Sequence, residues 1–196
     1  MTEPTIEELY VEERTFPPPT EFAAAALLAD SSHHDEATTD YKAFWARQAR
    51  ELLTWDEDFH TVLEWDQPFS KWFVGGRLNV SYNCLDRHVE AGFGDRIAYH
   101  WEGEPGDTRT ISYADLLDEV CRFANALLSL GLERGDRVAI YMPMIPELPV
   151  AMLACTRIGV AHSVIFGGFS PDSIVDRCED AAARLIITAD AGYRRG

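Results

Sequence analysis

Two short stretches carry residue types able to grip an anionic ligand. Phe166-Gly167-Gly168 closes an apolar run and leads through Phe169-Ser170-Pro171 into an amphipathic segment. A glycine turn ahead of a helix leaves backbone N–H groups aimed at whatever lies over the helix start, a geometry suited to phosphate. No Gly-Lys-Ser/Thr follows and the spacing is not G-x-G-x-x-G, so this is neither a P-loop nor a dinucleotide fingerprint. Two readings stay open here, a simple tight turn and a ligand-lining loop. Arg194-Arg195, between Gly192 and Gly196, follow a second apolar run over 184–189. Guanidinium forks take phosphate oxygens in pairs; the alternative is two solvated arginines.

Other candidates point to less. His88, His100 and His162 are scattered, with no Ser or Cys nucleophile spaced to complete a triad. His33-His34 has no third ligand nearby, and no metal site is assigned. The carboxylate pairs Asp56/Asp58 and Asp118/Glu119 read as solvated faces. The Trp and Phe residues over 55–73 read as core.

The elements that must position the two stretches are legible from periodicity and punctuation. Tyr41, Phe44, Trp45, Ala49 and Leu52 recur at helical spacing, with Asp40 as N-cap. The stretch 55–83 is aromatic-rich and reads as irregular, and 83–90 as a helix carrying Leu85 and Val89. Residues 97–101 and 109–111 read as a hairpin around Gly103–Asp107. Ser112 opens a helix with Asp115 as capping-box partner, a stripe of Leu116, Val120, Phe123, Ala124, Leu127 and Leu128, and Gly131 as its stop. Apolar strands over 137–142, 160–166 and 184–189 alternate with helices over 147–158 and from Ser170, with Pro171 at the first helical position. This α-β-α-β-α-β order predicts a parallel sheet, whose ligands sit beyond the carboxyl ends of the strands. Three such ends are visible, at Tyr141-Met142-Pro143-Met144, at Phe166 to Ser170 and at Asp190 to Gly196, and both candidate stretches follow such ends.

Composition bounds the rest. The 196 residues are 46% hydrophobic, a globular balance. The net charge of −16 argues against nucleic acid. Residues 1–40 carry Glu3, Glu7, Glu8, Glu12, Glu13, Glu21, Asp30, Asp35, Glu36 and Asp40 against Arg14 alone. With Pro17-Pro18-Pro19 and the polar stretch 31–39, residues 1–39 read as an acidic, partly mobile arm, with 22–28 as a short helix. No basic segment precedes Phe22–Ala29, so it does not read as a signal peptide, and no run is long enough to span a bilayer. Cys84, Cys121, Cys155 and Cys178 lack metal or C-x-x-C spacing and read as reduced thiols of a cytoplasmic protein with no membrane partner. Asn79-Val80-Ser81 matches a glycosylation sequon by chance.

Three runs carry a family resemblance. The segments Gly135-Asp136-Arg137-Val138-Ala139-Ile140-Tyr141-Met142-Pro143-Met144-Ile145-Pro146-Glu147, Arg157 to Pro171, and Leu185-Ile186-Ile187-Thr188-Ala189-Asp190 with its arginine loop resemble AMP-forming acetyl-CoA synthetases of the adenylate-forming superfamily. Upstream, Trp65, Pro68, Lys71-Trp72-Phe73 and Leu78 to His88 look like the extra N-terminal region of that subfamily. The resemblance implies the α/β fold of the N-terminal part of the large adenylation domain, a parallel sheet with helices on both faces, preceded by an irregular and helical region. It divides the chain into the arm (1–39), the synthetase-type N-terminal region (40–96) and the first part of the AMP-binding domain (97–196).

The reaction implied is acetyl-CoA formation from acetate, ATP and CoA through an acetyl-adenylate, with Mg²⁺ on the phosphates. Arg194, Arg195 and Gly196, with Phe166, Gly167 and Gly168, match loops lining the coenzyme A site. The family's Ser/Thr/Gly-rich lysine loop, adenine pocket, acetate-pocket tryptophan and C-terminal catalytic lysine have no counterpart in 1–196. The polypeptide alone is therefore expected to be inactive, with no catalytic residue of its own and no cofactor bound tightly, and to be a piece of a longer enzyme. A ligase for propionate or a related short acid, and a non-catalytic interaction module, are the alternatives. An uncovered sheet edge is expected to favour self-association.

Overall fold

The computed structural model describes residues 15–28 and 30–193. The chain divides into two compact units, 1–48 and 49–196.

In the first unit, α1 spans Thr20–Ala25, α2 Ser32–Thr39, and α3 (Tyr41–Leu52) begins here and runs past the division. Asp40 caps α3 as expected, its carboxylate accepting from the Ala43 N–H at 2.9 Å. Helix α1 starts earlier and stops sooner than the expected 22–28. Within the polar stretch 31–39, Ser32–Thr39 form the helix α2. No residue of α2 is buried, so its order comes from local bonds. Asp30 accepts from the Ser32 N–H, Ser31 donates to Asp35, and the Thr38 and Thr39 hydroxyls donate back to the carbonyls of His34 and Asp35. Such side-chain bonds are invisible to a search for apolar stripes.

In the second unit, the stretch read as irregular contains an antiparallel hairpin, β1 (Thr61–Asp66) and β2 (Phe69–Val74), paired from Thr61↔Val74 to Asp66↔Phe69. Its inner end is held by a cluster in which Trp55, Phe59 and Phe73 meet at 4.9–5.7 Å between ring centroids. The expected helix over 83–90 lies within a continuous helical stretch over 80–93, in which Tyr82–Asp86 and Val89–Phe93 are wide π-helical turns. Asn83 anchors the first. Its side-chain amide donates to the carbonyls of Asn79 and Thr54, and its oxygen accepts from the Thr54 N–H at 2.8 Å. The Asn79 carbonyl thus accepts from both the Asn83 side chain and its backbone N–H, and the Asn83 side chain ties this turn to Thr54. Asn79 of the sequon is likewise engaged, accepting from Tyr82 N–H and donating to the Arg157 carbonyl.

The remaining elements follow the expected order. They are β3 (Ile97–Glu102), β4 (Thr108–Ser112), α4 (Tyr113–Ser129), β5 (Arg137–Tyr141), α5 (Glu147–Arg157), β6 (Ala161–Val164), α6 (Pro171–Asp180) and β7 (Leu185–Thr188). Ser112 and Asp115 form the capping box, and the two Ser112 hydrogen bonds hold the Asp115 carboxyl below its ordinary pKa. Leu116, Val120, Ala124 and Leu127 are buried; Leu128 is half exposed, at the edge of the stripe. Gly131, at φ +80°, ends the helix in the left-handed conformation that favours glycine.

The three apolar strands form one parallel sheet in the order β6-β5-β7. Strand β5 is central. Val138 and Ile140 face the core of α4 and α5, and Ala139 on the other face is buried too. Burial on both faces is why 137–141 reads as a continuous apolar run.

Helix α6 ends in a Schellman arrangement, with Ala182 N–H donating to the Glu179 carbonyl and Ala183 N–H to that of Cys178. Ala182 takes the left-handed position at φ +46°. Relieving that strain outweighs the greater freedom glycine gives the unfolded chain. Ala182→Gly is therefore expected to stabilise the protein by about 0.5–1 kcal/mol, read as a higher urea midpoint at unchanged slope; a lower midpoint contradicts it.

Candidate functional site

All three strands of the sheet run the same way, so their carboxyl ends share one rim. Strand β6 hands over to its loop at Ile165, whose N–H still bonds the Ile140 carbonyl at 2.8 Å and whose side chain is buried. Phe166 is the first residue past the ladder and is 66% exposed. The turn closes on itself through Phe169 N–H to the Phe166 carbonyl at 3.1 Å, and the two rings meet edge to face at 6.0 Å. Ser170 then caps α6 by accepting from the Ser173 N–H, with Pro171 in the first turn as expected.

The carboxyl end of β5, with the loop that follows it, lies between the other two loops and touches both. The Tyr141 hydroxyl donates to the Gly167 carbonyl at 3.3 Å. On the other side, a Cβ on Gly192 would stand 3.0 Å from the Cβ of Pro143, so glycine is what lets the loop after β7 pack this closely. The loop containing Phe166, Gly167 and Gly168 and the residues leading to Arg194 therefore occupy one rim, with β5 interposed rather than side by side. Arg194, Arg195 and Gly196 themselves lie outside the described residues.

The described part of this rim suits a ligand with an anionic group and a flat apolar one. Phe166 offers an exposed ring, and a Cβ on Gly167 would meet nothing within 4 Å among the described residues. At the start of α6 Pro171 carries no N–H and Ser170 already takes that of Ser173, which leaves the Asp172 N–H as the donor of that turn. Sequence reasoning placed Tyr141 to Met144 at a strand's carboxyl end but gave Tyr141 and Pro143 no role beside the glycine turn. Their contacts depend on β5 being central, which strand spacing does not encode.

The other candidates stay apart from this rim or lack partners for chemistry. His88 and His162 line an apolar groove of about 530 Å³ together with Cys84, Tyr99, Tyr113 and Met152. Burial lowers the His162 pKa and raises that of Tyr99. Cys84 makes no hydrogen bond to either imidazole among the described residues, so no nucleophile–base pair forms. All four cysteines are free thiols, and burial pushes Cys155 up to about 11, which makes it inert. Among the described residues no group of three His, Cys, Asp or Glu is arranged to hold a metal ion. No helix among them is long and apolar enough to cross a membrane.

A strand-end site on a parallel α/β sheet defines a broad class, and comparison with known proteins narrows it. The chain belongs to the AMP-binding enzyme family, whose profile matches residues 85–195. Residues 31–84 match a second family, described as the acetyl-coenzyme A synthetase N-terminus. The chain is 57% identical over 197 aligned residues to the acetyl-coenzyme A synthetase of Streptomyces avermitilis, covering 100% of this chain and 30% of that protein. It is 62% identical to that of Mycolicibacterium smegmatis, over 92% of this chain and 19% of the relative. For the Mycobacterium tuberculosis H37Rv protein the identity is 58%, over 93% and 28%. The chain thus spans less than a third of the length of the curated relatives it matches.

Proposed function

We propose that this chain supplies one wall of the coenzyme A site of an AMP-forming acetate–CoA ligase, with Phe166, Gly167 and Gly168 on one loop and Arg194, Arg195 and Gly196 on another. The observation that carries this reading is the shared rim: the loop after β6 abuts Tyr141 at the end of β5, and the loop after β7 abuts Pro143 just beyond it. The Arg194 and Arg195 guanidinium groups would take the phosphates of the coenzyme's nucleotide end, while Phe166 would shield its flat part from water. In the whole reaction, acetate attacks the α-phosphorus of ATP and pyrophosphate leaves. The coenzyme thiolate then attacks the acyl carbon and AMP leaves. Magnesium would offset the phosphate charge, and no residue of this chain is assigned to it.

We assign residues 1–39 to an acidic arm, 40–96 to the synthetase-type N-terminal region and 97–196 to the AMP-binding part. The 196-residue polypeptide by itself is expected to release no acetate-dependent pyrophosphate above background. A chimaera in which it replaces the matching segment of the Streptomyces avermitilis relative is expected to make acetyl-CoA. Turnover by the isolated polypeptide would overturn the first expectation. A folded chimaera able neither to form the adenylate nor to bind CoA would overturn the assignment itself.

A further inference from the structure

We propose that Tyr141 and Arg177 are positioning residues for the Phe166–Ser170 loop, setting its shape before any ligand arrives. This rests on the coenzyme A reading of that rim. The loop begins where the β-ladder stops, and it combines an exposed phenylalanine with two glycines, a composition that by itself would let the backbone wander. Two side chains from different elements restrict it.

The first is Tyr141, the last residue of the central strand. Its ring leaves a strand fixed on both edges, and its hydroxyl donates to the Gly167 carbonyl at 3.3 Å. That bond fixes the orientation of the peptide plane between Gly167 and Gly168, and hence where the next N–H points. The second is Arg177, in the second turn of α6. Its guanidinium carbon lies 4.5 Å from the centroid of the Phe169 ring. Phe169 in turn meets Phe166 edge to face at 6.0 Å and 82°. A cation over one ring face, and the edge of that ring against a second, form a relay from the helix to the exposed Phe166.

A loop ordered in advance does not spend binding free energy on its own ordering. Removing either brace should therefore weaken coenzyme binding without unfolding the sheet, because both side chains stand at the surface and neither belongs to the core.

The test is calorimetric titration of CoA into the Streptomyces avermitilis chimaera and its variants, with thermal midpoints recorded alongside. Tyr141→Phe, which deletes only the hydroxyl, is expected to weaken CoA about three-fold. Arg177→Ala should weaken it about three-fold, and the double variant about ten-fold. Arg177→Lys keeps a cation for the ring and should stay within about two-fold of the unsubstituted chimaera. Midpoints should shift by no more than about 2 °C. A double variant that binds CoA as the unsubstituted chimaera does, or one whose loss tracks a falling midpoint, overturns the proposal and leaves the coenzyme site standing. An unsubstituted chimaera that takes up no CoA removes the coenzyme reading, and this inference with it.

Discussion

Replacing Arg157 by alanine is expected to destabilise the protein by about 3 kcal/mol. The Arg157 guanidinium donates two parallel hydrogen bonds to the two oxygens of Asp86, each at 2.8 Å. The side chains are 28% and 14% exposed, so solvent screens this pair only partly. The bond to Asp86 is also the main reason the Arg157 pKa is raised, ahead of the opposing effect of burial. Truncation would strand the Asp86 carboxylate in a pocket that water barely reaches, and the cost of an orphaned charge exceeds the net worth of the pair. The pair has a structural task as well. It ties the wide turn Tyr82–Asp86 to the end of α5, beside the bond from Asn79 to the Arg157 carbonyl. Of these contacts, the one from Asn79 joins the two segments that match separate families.

Arg157→Lys keeps the charge but not the fork, and should fall between the two extremes. The surface pair Arg122–Asp118, at 72% and 62% side-chain exposure, serves as the control, where Arg122→Ala should change stability by less than about 0.5 kcal/mol. Urea denaturation followed by tryptophan fluorescence measures all three. An Arg157→Ala midpoint equal to that of the control variant would show that the pair is no better than a surface one.

Much of the second half of the chain was legible because its signals are local. Ser112 with Asp115, Ser170 with Pro171, and Gly131 each mark a helix end through bonds made within a few residues. The strands around Val138–Ile140 and Ile186–Ile187 announce themselves as short apolar runs, the first between Gly135 and Pro143 and the second between Arg184 and Asp190. The β1–β2 hairpin escaped the same search. Trp65 and Phe69 are exposed at its tip, so apolar residues fall on both faces and the period-2 signal cancels. The wide turn at Tyr82–Asp86 was missed for another reason. Asn83 reaches Thr54, 29 positions earlier, and a bond of that span leaves no mark in local spacing.

The candidate site divides along the same line. The glycine turn at Phe166–Gly168 was found because it follows a strand and precedes a cap. Its neighbours Tyr141 and Pro143 came only with the strand order β6-β5-β7, which places one central loop between two flanking ones. Identity of composition would have allowed other orders, with other residues meeting at the rim.

Arg194 allows the sharpest separation of the two half-reactions. Phosphate held by a guanidinium through charge-assisted bonds gains about 1.5–3 kcal/mol, which corresponds to roughly ten- to a hundred-fold in affinity. The coenzyme takes part only in the second half-reaction, so the first should be indifferent to the change. In the Streptomyces avermitilis chimaera, Arg194→Ala is therefore expected to raise KM for CoA by about ten- to a hundred-fold, while acetate-dependent ATP–pyrophosphate exchange stays within about two-fold. An unchanged KM for CoA, or an equal loss in both half-reactions, would contradict a coenzyme site at this rim.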